Sequence, residues 1–178
     1  AKKYEAQRDE LSVNGLQDVD TVLTTRELAK MIKEAGIRFT QLPDEGFDDP
    51  FGNEATGAGV IFGATGGVME AALRTAAEWV TGTELEKVDF EDVRGLAGVK
   101  KATYKLGDLE VKVAVASGLK NAKKLLEEVK SGEEIHFIEI MGCPGGCING
   151  GGQPVQPAVV RNFEDFIGKR GMALYSDD

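Results

Sequence analysis

The sequence is poor in cysteine and histidine and has no long apolar run. Its 178 residues include two cysteines and one histidine, which excludes a disulfide-stapled scaffold and favours a reducing compartment. No apolar run approaches the roughly 18 to 20 residues of a transmembrane helix. The charged start AKKYEAQRDE has no apolar core and is therefore not a signal peptide. We expect no membrane insertion and a cytoplasmic location, with the periplasm as the alternative.

Basic residues are fewer than acidic residues. The chain has 21 Lys and Arg against 30 Asp and Glu, which gives a net charge of −9. Nucleic-acid binding requires a basic surface that holds phosphates, so nucleic acid is excluded as a main partner. The length suits one domain with a sizeable core. Because the chain does not begin with Met, we expect a processed or excised piece with further sequence upstream.

The hydrophobic pattern alternates between helix and strand periods. A short strand over 18–24 leads into a helix that Thr24 and Glu27 would cap and Gly36 would end. The acidic segment 41–57 predicts a loop, without the ligand spacing of a calcium loop. A second helix is expected from Thr65 to about Val80.

The second half continues the alternation. The segment 99–117 predicts a β-hairpin, and 118–132 predicts an amphipathic helix. EIHFIEIM, 134–141, reads as a buried strand, and a last helix is expected after Pro157. The pattern predicts an α/β fold with a mixed, mainly parallel sheet and helices on both faces, in which residues 1–178 form a single lobe.

Two other candidate sites fit known patterns poorly. The glycine-rich segment 57–67 lacks the third glycine of a dinucleotide-binding turn and the Gly-Lys-Ser/Thr ending of a P-loop. The single histidine, His136, lies in an apolar strand pattern without a visible catalytic partner, which favours a structural role.

Both cysteines stand in EIMGCPGGCINGGGQP, residues 139–154. Their C-x-x-x-C spacing differs from the C-x-x-C of zinc sites and thioredoxin-like pairs. An iron–sulfur cluster usually takes four thiolates, so two would come from elsewhere. The glycines would let backbone N–H groups approach a bulky cluster. The alternative is a glycine-rich turn with two buried, inert thiols, and the residues alone leave both interpretations open.

The stretch 139–154 resembles the third signature motif of iron-only (FeFe) hydrogenases, E-x-M-x-C-x-x-G-C-x-x-G-G-G-Q-P. The block TGAGVIFGATGGVMEAALRTAAE resembles the segment before that motif, and Ala1, Lys2 and Glu5 fit the tail of the second motif, M-P-C-x-x-K-x-x-E. The resemblance covers essentially the whole chain. It implies a C-terminal lobe fragment of the catalytic domain, whose partner is the remaining N-terminal part of that domain. The positions that match the third motif are Glu139, Met141, Cys143, Gly146, Cys147, Gly150, Gly151, Gly152, Gln153 and Pro154.

The resemblance also implies a cofactor, the H-cluster. In this family a 4Fe-4S cluster shares one cysteine sulfur with a diiron subcluster that carries CO, CN⁻ and a bridging dithiolate. By motif position, Cys143 would bind the 4Fe-4S cluster and Cys147 would be the bridging thiolate. Lys2 would hydrogen-bond a cyanide, and Met141 would pack against the diiron unit. The resemblance thus makes Lys2, Met141 and Cys147 the catalytic residues. In the isolated fragment, we expect a solvated Lys2, no bound cofactor and no activity.

The family reaction is 2H⁺ + 2e⁻ ⇌ H₂, with a redox partner such as ferredoxin or another electron carrier. The alternative is a hydrogenase-like protein of iron–sulfur assembly or sensing that does not turn over H₂. The segment 65–74, TGGVMEAALR, and the methionine at position 141 favour the enzyme.

Overall fold

The chain divides into two compact units in a computed structural model, which describes residues 2–46, 48, 57–83 and 98–177. The smaller unit comprises Ala1–Asp48 with Gly151–Gln156, and the larger comprises Asp49–Gly150 with Pro157–Asp178. The expectation of a single α/β lobe over residues 1–178 stays a prediction.

The described residues of the smaller unit form two α-helices, two 3-10 helices (Asp9–Leu11 and Phe39–Gln41) and a short hairpin. Helix α1 covers Lys2–Glu5, strands β1 (Ser12–Val13) and β2 (Leu16–Gln17) pair antiparallel, and helix α2 covers Thr25–Glu34. The prediction of a strand over 18–24 is wrong, because these residues form no strand and the strand pairing lies earlier in the chain. There Asn14 and Gly15 take positive φ angles of 53° and 77°, the geometry of a tight hairpin turn.

The predicted ends of α2 are confirmed. Thr24 accepts the Glu27 N–H at 3.2 Å, and the Glu27 carboxylate accepts the Thr24 N–H at 2.8 Å, so the capping box is complete. Gly36 follows the last turn with a φ of 73°. In the predicted acidic loop, residues 43–46 and 48 are neither helix nor strand, and most of the rest lies outside the described residues.

The larger unit contains the sheet. A 3-10 helix, Gly57–Gly63, precedes helix α3, Gly67–Thr81, which ends at Gly82 as predicted. The remaining elements, in chain order, are β3 (Val99–Leu106), β4 (Leu109–Ser117), α4 (Leu119–Lys130), β5 (Phe137–Met141), α5 (Ala158–Arg161) and α6 (Phe166–Asp177).

The strand order in this sheet is β3-β4-β5. Strands β3 and β4 form the predicted antiparallel hairpin, while β4 and β5 are parallel, in a register from Val113 opposite Phe137 to Ser117 opposite Met141. The prediction of a mixed sheet is confirmed, but the described strands are not mainly parallel, because the hairpin adds an antiparallel pairing of eight residue pairs to the five pairs of the parallel one. The parallel pair brings the carboxyl ends of β4 and β5 to the same edge, where ligands gather in open α/β sheets.

Helices cover both faces of β4, because its side chains alternate between them. Val113 and Val115 pack with Met69, Leu73 and Ala77 of α3 on one face. Ala114 and Ala116 pack with Ala122 and Leu125 of α4 on the other. The predicted arrangement, an α/β sheet with helices on both faces, is confirmed.

Two further predictions about the larger unit are wrong. Strand β5 forms, but it is not buried along its length: Phe137 is 41% and Ile140 42% exposed, because β5 pairs only with β4 among the described strands. The last helix is split into α5 and α6. Asp165 accepts the Gly168 N–H at 2.9 Å, the local bond by which aspartate starts a new helix rather than continuing one. No helix in the described residues is long and apolar enough to cross a membrane.

Candidate metal centre

Strand β5 delivers both cysteines to the carboxyl edge of the sheet. The strand ends at Met141, whose carbonyl oxygen accepts the Gly118 N–H at 2.7 Å. We call residues 142–150, which follow, the cysteine turn. It starts where β4 and β5 both end, so the parallel register places its thiols at this edge.

The cysteine turn consists of two successive tight turns, each beginning at a cysteine. The Gly146 N–H donates to the Cys143 carbonyl at 3.0 Å, and the Gly150 N–H donates to the Cys147 carbonyl at 2.9 Å. The Asn149 side-chain amide donates to the Pro144 carbonyl at 2.9 Å and ties the two turns together. Both cysteines are free and exposed. The alternative interpretation, a glycine-rich turn with two buried and inert thiols, is therefore wrong about burial.

Two glycines let the cysteine turn lie directly on the backbone before α3. Gly145 and Gly146 have φ angles of 86° and 94°. A β-carbon on Gly146 would lie 2.5 Å from the Gly63 carbonyl oxygen and 2.8 Å from the Thr65 nitrogen. The Thr65 N–H donates to the Gly145 carbonyl at 3.2 Å. Glycine is therefore required at 146 for both its conformation and its lack of a side chain.

A buried carboxylate also holds this backbone segment, at its junction with α3. Glu139, in the middle of β5, is 6% exposed. Its carboxylate accepts the N–H groups of Gly66 and Met69, each at 2.7 Å, at the start of α3. Burial raises the pKa of Glu139, while the backbone hydrogen bonds from Gly66, Met69 and Val68 oppose that rise.

Helix α6 braces the second half of the cysteine turn. Ile148, next to Cys147, is buried, and its carbonyl accepts the Arg170 guanidinium at 2.8 Å. A β-carbon on Gly63 would lie 3.0 Å from Leu174 and 3.6 Å from Ile148. The turn is thus supported by the start of α3 and by α6, and the Gly145 N–H also donates to Ser117 Oγ, at the end of β4, at 3.2 Å.

The donor set suits part of an iron–sulfur centre. Thiolates are the ligands that such clusters use, and two exposed thiols stand on a glycine-rich turn. In the described residues, no three His, Cys, Asp or Glu side chains are placed to hold a metal ion. A buried hydroxyl beside the turn, Thr65 Oγ1, has no hydrogen-bond partner there. The residues fit a cluster ligated by this turn, with further thiolates supplied from elsewhere.

The predicted site residues fall in both units. Met141 is the last residue of β5, and Cys143 and Cys147 lie in the cysteine turn that follows it. Lys2 belongs to α1 of the smaller unit, and its predicted contact with the cofactor stays a prediction. His136 lies just before β5, where its Nδ1 accepts the Lys112 N–H at 3.0 Å.

Sequence reasoning named Glu139 as a motif position without giving it a supporting role, and it did not name Arg170. A single carboxylate within the apolar strand FIEIM is a visible signal, because a buried charge needs dedicated partners. Arg170 carries no comparable signal, since its acceptor is a backbone carbonyl distant in sequence.

Comparison with known proteins gives one consistent result. The family model described as the iron-only hydrogenase large subunit, C-terminal domain, matches residues 1–151. The chain is 58% identical over 178 residues to the NADP-reducing hydrogenase subunit HndD of Solidesulfovibrio fructosivorans. It is 56% identical over 165 residues, 92% of the chain, to the periplasmic Fe hydrogenase large subunit of Nitratidesulfovibrio vulgaris.

More distant similarity extends to assembly proteins. The chain is 33% identical over 162 residues, 88% of its length, to cytosolic iron-sulfur assembly component 3 of Mus musculus. The chain spans 30%, 39% and 34% of these three relatives in turn. A solved variant of HydA1 from Chlamydomonas reinhardtii matches with a TM-score of 0.69 and 38% identity, over 97% of this chain and 50% of that one.

Proposed function

The chain belongs to the iron-only hydrogenase large-subunit family, C-terminal domain, and from this premise we propose that it is part of a catalytic domain that interconverts protons and H₂. The reaction is 2H⁺ + 2e⁻ ⇌ H₂ at an H-cluster. The observation that carries the proposal is the pair of free, exposed thiols on the cysteine turn. Their setting supports it, because a rigid glycine turn at the carboxyl edge of a sheet positions ligands well.

Each proposed residue has a role that its chemistry suits. Cys143 would bind the 4Fe-4S cluster, and Cys147 would bridge that cluster and the diiron subcluster. Met141, half-buried at the end of β5, offers an apolar and adaptable side chain for the wall around the diiron unit. Lys2 would donate a hydrogen bond to a cyanide, for which an ammonium is a compact donor. When bound, the cofactor supplies the redox chemistry, and the protein supplies placement, hydrogen bonds and exclusion of water.

The proposed partners follow from the donor set. Two thiolates in this chain leave about two of the usual four to another segment, which we assign to the N-terminal part of the same catalytic domain. Electrons would come from ferredoxin or a comparable carrier. We place the protein in the cytoplasm, where free thiols persist, with the periplasm as the alternative. Cell fractionation with an antibody against residues 1–178 tests the compartment.

The alternative is an iron–sulfur assembly or sensory protein without H₂ turnover. The identity of 33% to an assembly component, against 58% to a hydrogenase subunit, favours the enzyme. A chimera discriminates between them. The matching segment of HndD is replaced by these 178 residues, the protein is matured in a host that activates HndD, and H₂ evolution from a reduced dye is measured.

The chimera is expected to evolve H₂, and Cys143→Ser and Cys147→Ser are each expected to abolish it. The matched control is Glu134→Gln, because Glu134 is an exposed residue that precedes β5 and pairs with Lys112 at 3.0 Å. It should leave the rate unchanged. A folded chimera that retains iron but evolves no H₂ would contradict the enzyme and support the assembly or sensory function.

A further inference from the structure

The Glu139 carboxylate and the cysteine turn both contact the backbone that leads into α3, the carboxylate at Gly66 and Met69 and the turn at Gly63 and Thr65. We propose that Glu139 is a positioning residue for the cluster site, because it holds the start of α3 and so fixes the backbone on which both cysteines are placed. Its consequence for catalysis rests on the proposed function, whereas its effect on the thiols rests on the contacts alone.

The first step is the anchor at α3. Glu139 accepts two hydrogen bonds of 2.7 Å, from Gly66 and from Met69. A carboxylate at a helix start satisfies otherwise unpaired N–H groups and interacts favourably with the helix dipole. Bonds to an ionised acceptor are about twice as strong as neutral ones. The first turn of α3 is therefore attached to the middle of β5.

The second step is the segment that precedes α3. Gly66 has a φ of 91°, a left-handed conformation at the residue that joins segment 63–65 to α3. The Gly67 N–H donates to the Ala64 carbonyl at 3.0 Å. A β-carbon on Gly67 would overlap the Ile61 carbonyl oxygen. The segment is compact, so a shift of Gly66 would also shift residues 63–65.

The third step is the contact with the cysteine turn. Thr65 donates to the Gly145 carbonyl, and Gly146 lies against Gly63 with no room for a side chain. Gly146 is hydrogen-bonded on one side to Cys143 and on the other, through its carbonyl, to Asn149 at 3.1 Å. A displacement of segment 63–65 therefore reaches both halves of the turn, one cysteine in each.

If Glu139 is only a helix cap, its removal should destabilise α3 and leave the two thiols in place. If Glu139 is a positioning residue, its removal should also change the positions of the two thiols relative to each other. The distinction is measurable with Cd²⁺, a soft ion that two suitably placed thiolates bind together.

The test uses the 178-residue chain with three variants: Glu139→Gln, Glu139→Asp and the surface control Glu134→Gln. Gln keeps the size of Glu139 but places an NH₂ group opposite a backbone N–H. Asp keeps the charge but is too short to reach both donors. Amide hydrogen exchange and amide shifts are measured by NMR, and Cd²⁺ binding is measured by the thiolate-to-metal absorption band.

We expect Glu139→Gln to speed exchange at Gly66 and Met69 at least tenfold, roughly the effect of one lost charge-assisted hydrogen bond. The amide shifts of Gly145 and Gly146 should move, and the Kd for Cd²⁺ should rise about tenfold. Glu139→Asp should show the same changes at smaller size, and it decides the question if the Gln variant does not fold. Glu134→Gln should match the unaltered chain.

The inference is overturned if exchange at Gly66 and Met69 rises while the Gly145 and Gly146 shifts and Cd²⁺ affinity stay constant. It is also overturned if the unaltered chain binds Cd²⁺ no more tightly than its Cys143→Ser variant, because the two thiols would then not bind one ion together.

The HndD chimera separates this inference from the proposed function. If the unaltered chimera is inactive but Glu139→Gln weakens Cd²⁺ binding by the thiols, the proposed function is contradicted and the positioning role is kept. If the chimera is active and Glu139→Gln changes neither its infrared bands from metal-bound CO and CN⁻ nor the Kd of the 178-residue chain for Cd²⁺, the function is kept and the positioning role is contradicted.

Discussion

Gly146 and Gly63 meet backbone to backbone, so closely that a β-carbon on Gly146 would lie 2.5 Å from the Gly63 carbonyl oxygen. Gly146 also has a φ of 94°, a conformation that L side chains rarely adopt. This contact seats the cysteine turn on the segment before α3. The placement of Cys143 and Cys147 thus depends on a residue that carries no reactive group.

Replacement of Gly146 by alanine should be strongly destabilising. We expect Gly146→Ala to lower the free energy of unfolding by about 3 kcal/mol, from backbone strain together with overpacking. Gly142→Ala is the control, because Gly142 lies in the same turn without a positive φ, and a β-carbon there would meet nothing within 4 Å. It should cost less than about 0.5 kcal/mol. Urea unfolding measures both, and equal costs would refute the packing argument.

Replacement of Arg74 should lower the free energy of unfolding, because Arg74 pairs with a buried carboxylate. Glu70 is fully buried and pairs with Arg74 at 2.5 Å. We expect Arg74→Met to destabilise the larger unit by about 2 to 3 kcal/mol, because the buried Glu70 side chain would lose the adjacent guanidinium. Lys123→Met removes an exposed pair of the same spacing along a helix and should cost less than about 0.5 kcal/mol.

The double variant Glu70→Met/Arg74→Met checks the cause of that loss. It should recover most of the stability, since an apolar pair leaves no uncompensated charge. A double variant as unstable as Arg74→Met would instead indicate that packing, not charge, explains the loss. Thermal and urea unfolding measure each free energy.

The capping box of α2 should be sensitive to acid. The hydrogen bond from Lys3, at 2.5 Å, and those from the Thr24 backbone and side chain lower the pKa of Glu27 from 4.5 to about 2. A carboxyl whose pKa is lower in the folded state stabilises it above the unfolded pKa. That contribution is therefore present above pH 4.5 and is lost as the pH falls toward 2.

Carboxyl ¹³C NMR titration tests this assignment directly. In the unaltered chain Glu27 should titrate near pH 2, and Lys3→Met should raise its pKa toward 4.5, because Lys3 is the largest cause. Lys30→Met, which removes an ion pair with Glu34 on the same helix, should leave Glu27 unchanged. Titration of Glu27 near 4.5 in the unaltered chain would show that the capping box does not form.

The isolated chain should not assemble a complete cofactor. It supplies two thiolates, whereas a 4Fe-4S cluster usually takes four. After anaerobic incubation with ferrous iron and sulfide, we expect well below about four irons per chain and no H₂ from a reduced dye. Stable, stoichiometric iron with turnover would contradict this expectation. Tight iron without turnover that disappears in the Cys143→Ser/Cys147→Ser double variant would indicate an adventitious site.

Features specified by neighbouring residues could be predicted from the sequence. The ends of α2 and α3 depend on local signals, Thr24 with Glu27 at one start and Gly36 and Gly82 at the stops. The exposure of β5 could not be predicted, because it depends on which strands lie beside it. The break between α5 and α6 was missed although Asp165 lies there, since aspartate also occurs inside helices.

The candidate site divides in the same way. The motif alone predicts Cys143 and Cys147 as candidate ligands, since their types and spacing are written in one short stretch. The contacts that support the cysteine turn come from α3, from α6 and from Ser117, which lie elsewhere in the sequence, so the supporting roles of Glu139 and Arg170 became visible only as contacts. A short motif therefore specifies the candidate ligands more completely than the contacts that position them.

The most direct test of the proposed function is the infrared spectrum of the HndD chimera, because metal-bound CO and CN⁻ absorb where proteins do not. We expect these bands in the chimera that carries the unaltered residues 1–178 and their loss in Cys147→Ser, the proposed bridging thiolate. A folded chimera without the bands, or bands that persist unchanged in Cys147→Ser, would contradict the proposal that this cysteine turn holds the H-cluster.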